Sequence, residues 1–150
     1  ATSHSRIGNG AGFDDIRAEL VCQSFQFYEG VTAHHRDPVV VGAHGLHACR
    51  DLADVFKFYS YRPTRAYHRV VVPAGATVSE RGTELAATRL TVGERVPDAE
   101  VAMAAVRANG LMLRRVPSEL RTHELCAAAI AQNPAAAEYA SQFELRTLAA

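Results

Sequence analysis

Gly45-Leu46-His47-Ala48-Cys49-Arg50-Asp51-Leu52-Ala53-Asp54-Val55-Phe56-Lys57-Phe58-Tyr59 contains the change of period that decides the fold class. Gly45 to Cys49 reads as a short strand. From Leu52 onward the apolar residues Leu52, Val55, Phe56 and Tyr59 fall at the i, i+3, i+4, i+7 spacing of an amphipathic helix, and Asp51 and Asp54 suit its positive first turn. A strand feeding a helix is the local structure this predicts. Downstream, Arg62-Pro63-Thr64-Arg65 makes a loop, and Tyr67-His68-Arg69-Val70-Val71-Val72-Pro73 is the clearest strand of the chain, ended by Pro73 and the Ala74-Gly75 turn. Residues 84–94 fit a last strand or a short helix, because Leu85, Leu90 and Val92 satisfy neither period. Upstream, residues 20–28 read as a strand closed by Glu29-Gly30, and Asp37-Pro38 opens the run Val39-Val40-Val41, stopped by Gly42. Residues 1–12, rich in Ser, Gly and Asn, read as a flexible leader. The expectation is an α+β domain over residues 13–96, with a small mixed or antiparallel sheet and one main helix.

At Val96-Pro97 the chain changes character to Ala-rich helix, and it repeats. Glu100-Val101-Ala102-Met103-Ala104-Ala105-Val106-Arg107-Ala108-Asn109 aligns with Glu124-Leu125-Cys126-Ala127-Ala128-Ala129-Ile130-Ala131-Gln132-Asn133, matching the Glu, two Ala, the Asn and the aliphatic pairs Val101/Leu125 and Val106/Ile130. Glu119-Leu120-Arg121-Thr122 then returns as Glu144-Leu145-Arg146-Thr147. Such spacing predicts short α-helical repeats over residues 97–150, each unable to bury its apolar stripe alone. Asp98 and Thr122 are the expected N-caps, and Asn109-Gly110 and Asn133-Pro134 the stops. The ending at Leu148-Ala149-Ala150, inside a third such unit, leaves open an abrupt cap or a longer natural chain.

Composition removes several classes. The 150 residues carry 16 basic and 16 acidic side chains, 48% apolar and 21% charged, which is ordinary globular usage with no global field to gather nucleic acid or an anionic membrane. No apolar run approaches the roughly 20 residues of a membrane span, and the start has no signal-peptide core. The three cysteines, Cys22, Cys49 and Cys126, are odd in number and set in apolar surroundings, which favours free thiols in a reducing, cytoplasmic compartment: a bacterial cytoplasm, or a host cytosol if the protein is delivered there. A start at Ala1 rather than Met points to processing or to an excised piece.

Four motifs then carry a resemblance: Cys22-Gln23-Ser24-Phe25-Gln26-Phe27-Tyr28-Glu29-Gly30, Gly45-Leu46-His47-Ala48-Cys49, Asp54-Val55-Phe56-Lys57-Phe58-Tyr59 and Tyr67-His68-Arg69-Val70-Val71-Val72. In this order they resemble an uncharacterised domain family of phage and bacterial proteins with a Gly-Phe-His-Ala-Cys motif, in which Leu46 here replaces the aromatic. The run Val116-Pro117-Ser118-Glu119-Leu120-Arg121-Thr122-His123-Glu124-Leu125-Cys126 resembles an uncharacterised repeat family of large bacterial effector-like proteins. The resemblances imply an effector-type or phage-related context, not a reaction.

Three chemistries are open to these residues. His44-x2-His47-x-Cys49, with His34, His35 and Cys22, supplies zinc-type donors, but on an extended strand His47 and Cys49 point one way and His44 the other, so no metal is assigned. The strand–helix–strand order of residues 45–73 also looks like the middle of ADP-ribosyltransferase folds. That likeness implies NAD as cofactor, His47 and Tyr59 holding the nucleotide, Glu80 or, preferred, Glu84 as the catalytic carboxylate, and Arg65 and Arg69, from the cluster Arg62, Arg65, His68 and Arg69, on its phosphates. No Arg or His followed by Gly-Thr stands on the first strand, and no Glu-x-Glu follows Val72. Cys49 beside His47 lacks a third orienting group for nucleophilic work, and Gly8-Asn9-Gly10-Ala11-Gly12 lacks the strand and Lys-Ser/Thr of a phosphate loop. The leading expectation is an interaction or effector-type module whose helical repeats bind a protein partner; the alternative is an NAD-using ADP-ribosyltransferase-like domain.

Overall fold

The computed structural model describes the backbone of Ser3–Gly10, Leu20–Cys22 and Phe25–Phe27, and backbone and side chains over residues 28–140. The fold is α+β. The strands are β1 (Ser3–Gly10), β2 (Leu20–Cys22), β3 (Phe25–Phe27), β4 (Thr32–His34), β5 (Leu46–Cys49), β6 (Ala66–Val71), β7 (Val78–Arg81), β8 (Glu84–Ala87) and β9 (Arg89–Arg95). The helices are α1 (Leu52–Phe58), α2 (Asp98–Ala108) and α3 (His123–Gln132), with 3₁₀ turns at Gly110–Arg115, Ser118–Leu120 and Pro134–Tyr139. Two compact units result, one of residues 1–55 and 64–96, the other of residues 56–63 and 97–150.

The first unit is an antiparallel sheet in the order β4-β9-β6-β1-β5-β8-β7, with β2 and β3 continuing from β1. Directly opposed residues share a face, and the registers Leu46↔Ala87, Ala48↔Leu85, Val70↔Val92 and Ala33↔Leu90 gather the core on one side. Leu46, Ala48, Ala66, Val70, Leu85, Ala87, Leu90 and Val92 are buried there, with Ala33 and Val72 packed on them. Burying each Leu or Val contributes about 1.5–3 kcal/mol. Residues 84–94 fit neither period because they are two strands whose inward phases differ by one residue, 85 and 87 before Thr88, 90 and 92 after it. Thr88 makes the change: its N–H donates to the Thr77 carbonyl at 3.0 Å, and its hydroxyl accepts the Thr77 N–H at 2.9 Å.

Three other expectations fail locally. Ser3–Gly10, expected as a leader, is a strand lying between β6 and β5, registered from Ser3↔Val71 to Gly8↔Ala66. Its polar composition does not show this, because the stabilising partner lies some sixty positions along the chain. The strand expected over residues 20–28 is a hairpin, Leu20↔Phe27 to Cys22↔Phe25. Val39-Val40-Val41 is no strand: a single bridge, Val40↔His44, closes a turn in which Gly42 and Gly45 take φ of 84° and 126°. Only glycine adopts such values without strain.

In the second unit Val101, Ala102, Ala105 and Val106 of α2, and Leu125, Cys126 and Ala129 of α3, are buried. Thr122 caps α3 as expected, its hydroxyl accepting the Leu125 N–H at 3.2 Å. Asp98 does not cap α2. Pro97 takes the cap position with no side-chain bond, and Asp98 sits one residue inside, in the first turn, where its charge still meets the helix dipole. Both helices end alike. Asn109 and Asn133 take φ/ψ of −151°/106° and −147°/111°, donate their N–H to Ala105 and Ala129, and accept from the N–H of Leu111 and Ala135 through the side chain. Each amide thus stops an α-helix and starts a 3₁₀ turn. Arg121 fastens three backbone carbonyls, Val116 and Tyr139 at 2.8 Å and Arg114 at 3.4 Å. Residues 144–150, where the third unit was expected, lie outside the described residues.

Candidate functional site

His47 is on β5, with both ring nitrogens occupied. Nε2 accepts the Gly42 N–H at 2.9 Å, so the proton resides on Nδ1, which donates to the Gly45 carbonyl at 3.0 Å. The imidazole therefore ties down the loop of residues 39–45 in its neutral form. The same loop lies over Ala86: a Cβ added to Gly45 would stand 3.0 Å from Val39 Cγ1 and 3.1 Å from Ala86 Cβ, and one at Gly42 would stand 3.0 Å from Arg81 Nη2. The two glycines give the loop room to settle on the sheet.

Glu84 shares the face of His47. The registers His47↔Ala86 and Cys49↔Glu84 make the two expected site residues diagonal neighbours, with the buried thiol of Cys49 opposite the carboxylate. Glu84 is largely buried, its side chain 16% exposed, and accepts a bond from Arg81 Nη2 at 3.3 Å. Glu80 projects from the other face and is ion-paired with Arg50. Arg69 lies 3.7 Å from Glu94, across a bulge where Gly93 and Glu94 oppose this one residue of β6. Arg65 is half-buried just before β6.

The expected basic cluster is dispersed. Arg62 belongs to the second unit, Arg69 and His68 point to opposite faces of β6, and His68 is buried on the side of Ala66 and Val70. Its Nδ1 bonds the Gly93 carbonyl at 2.9 Å, while its Nε2 is buried without a hydrogen-bond partner. Tyr59 is also in the second unit and is 50% exposed. It was expected on the apolar stripe of the helix, but α1 ends at Phe58, so the helical period no longer governs it. Of the expected set, the first unit contains His47, Glu84, Arg65 and Arg69, and the second contains Tyr59. A base needs a free lone pair and a nucleotide needs uncommitted donors; His47 offers neither without releasing the loop.

Sequence reasoning overlooked Phe58, which is off the apolar stripe and 50% exposed beside Tyr59. The signal was available: a large aromatic at a position the helical period assigns to solvent. In sequence Lys57 precedes the pair and Arg62 follows it. Arg115 Nη1 donates to the carbonyl of the buried Tyr61 at 3.3 Å. Phe56 packs edge-on against Tyr61, centroids 6.1 Å apart at 70°, and so anchors the segment from below.

Among the described residues no three His, Cys, Asp or Glu side chains group as a metal site, and no helix is long and apolar enough to cross a membrane. The side chain of Cys22, named among the possible metal donors, lies outside the described residues. No curated protein matches the chain, and no solved structure does. A family model does match over residues 12–104, more than half of the chain, running from before β2 into α2. The protein belongs to the family described as Domain of unknown function (DUF7666).

Proposed function

We propose that the chain is an interaction module, with the α+β unit as scaffold and the helical unit as the surface that binds a protein partner. One observation carries the reading: the groups the sequence nominates for chemistry are tied into the fold. His47 spends both nitrogens on the loop of residues 39–45, Glu84 is bonded to Arg81, and Glu80 to Arg50. Side chains so engaged hold a scaffold together more readily than they turn over a substrate. The helical unit supports the other half of the reading. Its two α-helix–Asn–3₁₀ segments share cap geometry about 24 residues apart, as tandem helical repeats do, and such repeats present extended binding surfaces. Three cysteines, an odd number, with Cys49 and Cys126 buried, support a cytoplasmic setting.

The test separates a binding module from an NAD enzyme. Calorimetric titration of NAD into the full chain gives no saturable heat, and mass spectrometry after incubation with NAD and lysate finds no ADP-ribose on the chain or on other proteins. Saturable NAD binding that disappears in Glu84→Gln, with ADP-ribose transferred, overturns the reading.

A further inference from the structure

The loop of residues 39–45 is bonded chiefly to itself. Val40 donates its N–H to the His44 carbonyl at 2.7 Å, and the Val40 carbonyl accepts from Ala43 at 3.0 Å and from His44 at 2.9 Å. Among the described residues, its hydrogen bonds to the strands come from one side chain: His47 accepts the Gly42 N–H at Nε2 and donates to the Gly45 carbonyl from Nδ1. Apolar contact adds to these, with Val41 buried and Gly45 set closely against Val39 and Ala86. The two ring bonds are not equivalent. Nδ1 keeps its proton whether the ring is neutral or charged, whereas Nε2 accepts only while it is unprotonated. The titratable groups facing the ring come from every side. On β5, Cys49 lies two positions along. On β8, Glu84 is the diagonal neighbour, and on β7 Arg81 is bonded to Glu84 and lies beside Gly42. His44 is exposed within the loop itself. Towards β1, Ser5 opposes Cys49, and β6 sets Tyr67 and Arg69 in register with Ile7 and Ser5, Arg69 being paired with Glu94.

We infer that His47 is a pH-operated latch on this loop, a device of the α+β unit that stands whether or not the helical unit binds a partner. Neutral, the ring holds the Gly42 end of the loop to the sheet. Protonated, Nε2 turns an N–H towards the Gly42 N–H; that bond is lost and the Gly42 end swings out, while Nδ1 keeps its bond to Gly45. The closed loop excludes a proton from Nε2, so closure weakens as the pH falls and returns as it rises. Imidazole is the side chain that changes charge between about pH 5 and about pH 8. Opening also changes what the sheet presents. Ala86, fully buried beneath the closed loop, becomes accessible beside an imidazolium that has the Glu84 carboxylate as its diagonal neighbour. Acid thus converts a sealed face into one with a cation, an anion and apolar surface side by side.

NMR of the full chain from about pH 8 to about pH 5 tests this, reading amide exchange relative to the intrinsic rate at each pH together with the ring nitrogen shifts of His47. Protection at Gly42 should fall about tenfold, as for the loss of one hydrogen bond, with the same midpoint as the change at Nε2. Val40 and His44, bonded within the loop, and Val70, fully buried in β6, should keep their protection, which separates release of the latch from acid unfolding. His47→Gln supplies an acceptor of similar reach that does not titrate, so its Gly42 amide should stay protected down to about pH 5. A loss of protection that persists in His47→Gln belongs to another group, such as His44, and overturns the proposal. So does a wild-type Gly42 amide that pH leaves unchanged, or one whose midpoint differs from that of Nε2. Should the glutamine leave Gly42 unprotected even at about pH 8, the agreement or disagreement of the two wild-type midpoints decides alone.

Discussion

At the residue scale, His47 shows how a plausible catalytic residue can serve structure. Two hydrogen bonds from one ring to positions two and five residues back make it a latch for the loop of residues 39–45. His47→Ala should cost about 1–3 kcal/mol in urea unfolding, the sum expected for two such bonds, and should abolish hydrogen-exchange protection of the Gly42 amide. Unchanged protection at Gly42 would show that the ring is not the latch. The nomination of His47 and Glu84 was legible in part: the pattern placed His47 on a strand and Glu84 in a candidate strand, and both fall on one face of the sheet. What the pattern could not show is occupancy. Gly42, Gly45 and Arg81 reach these side chains through turn conformations and pairings that leave no periodic trace in the sequence.

At the element scale, the helices were the most legible features and the strands the least. The stripes of α2 and α3 and the cap Thr122 read directly, because helical contacts lie within four residues along the chain. Asp98 missed its cap by one residue. β1 and the split of residues 84–94 were hidden because strand identity depends on partners far along the chain, and a one-residue change of phase reverses every side chain. Gly110 adds a separate point. Its φ is ordinary, yet an added Cβ would collide with the Ala129 carbonyl at the end of α3, and its N–H donates to Gln132 Oε1. Gly110→Ala should therefore destabilise the protein by about 1–3 kcal/mol through overpacking, whereas Thr122→Ala removes one cap bond for about 1 kcal/mol. Comparing the two melts checks the assignment, and a neutral Gly110→Ala would mean that α3 does not hold its carbonyl there.

At the scale of the whole molecule, charge balance decides behaviour in solution. With 16 acids, 16 bases and an isoelectric point near 7.2, the chain has little self-repulsion at neutral pH. Solubility against polyethylene glycol should pass through a minimum near pH 7 and rise as the pH is moved away from it on either side. A flat profile would show that apolar contacts, not charge, limit solubility. The composition made this visible from the outset.

The division of the chain into its two units has a practical consequence. Residues 56–63 belong with residues 97–150 although the β-strands from β6 to β9 intervene in sequence. Neither unit can be released intact by a single cut. A fragment starting at Pro97 would lack buried Tyr61 and the carbonyl that Arg115 holds, and a fragment ending at Val96 would still carry them. For cloning and for limited proteolysis alike, the folding unit is the undivided chain.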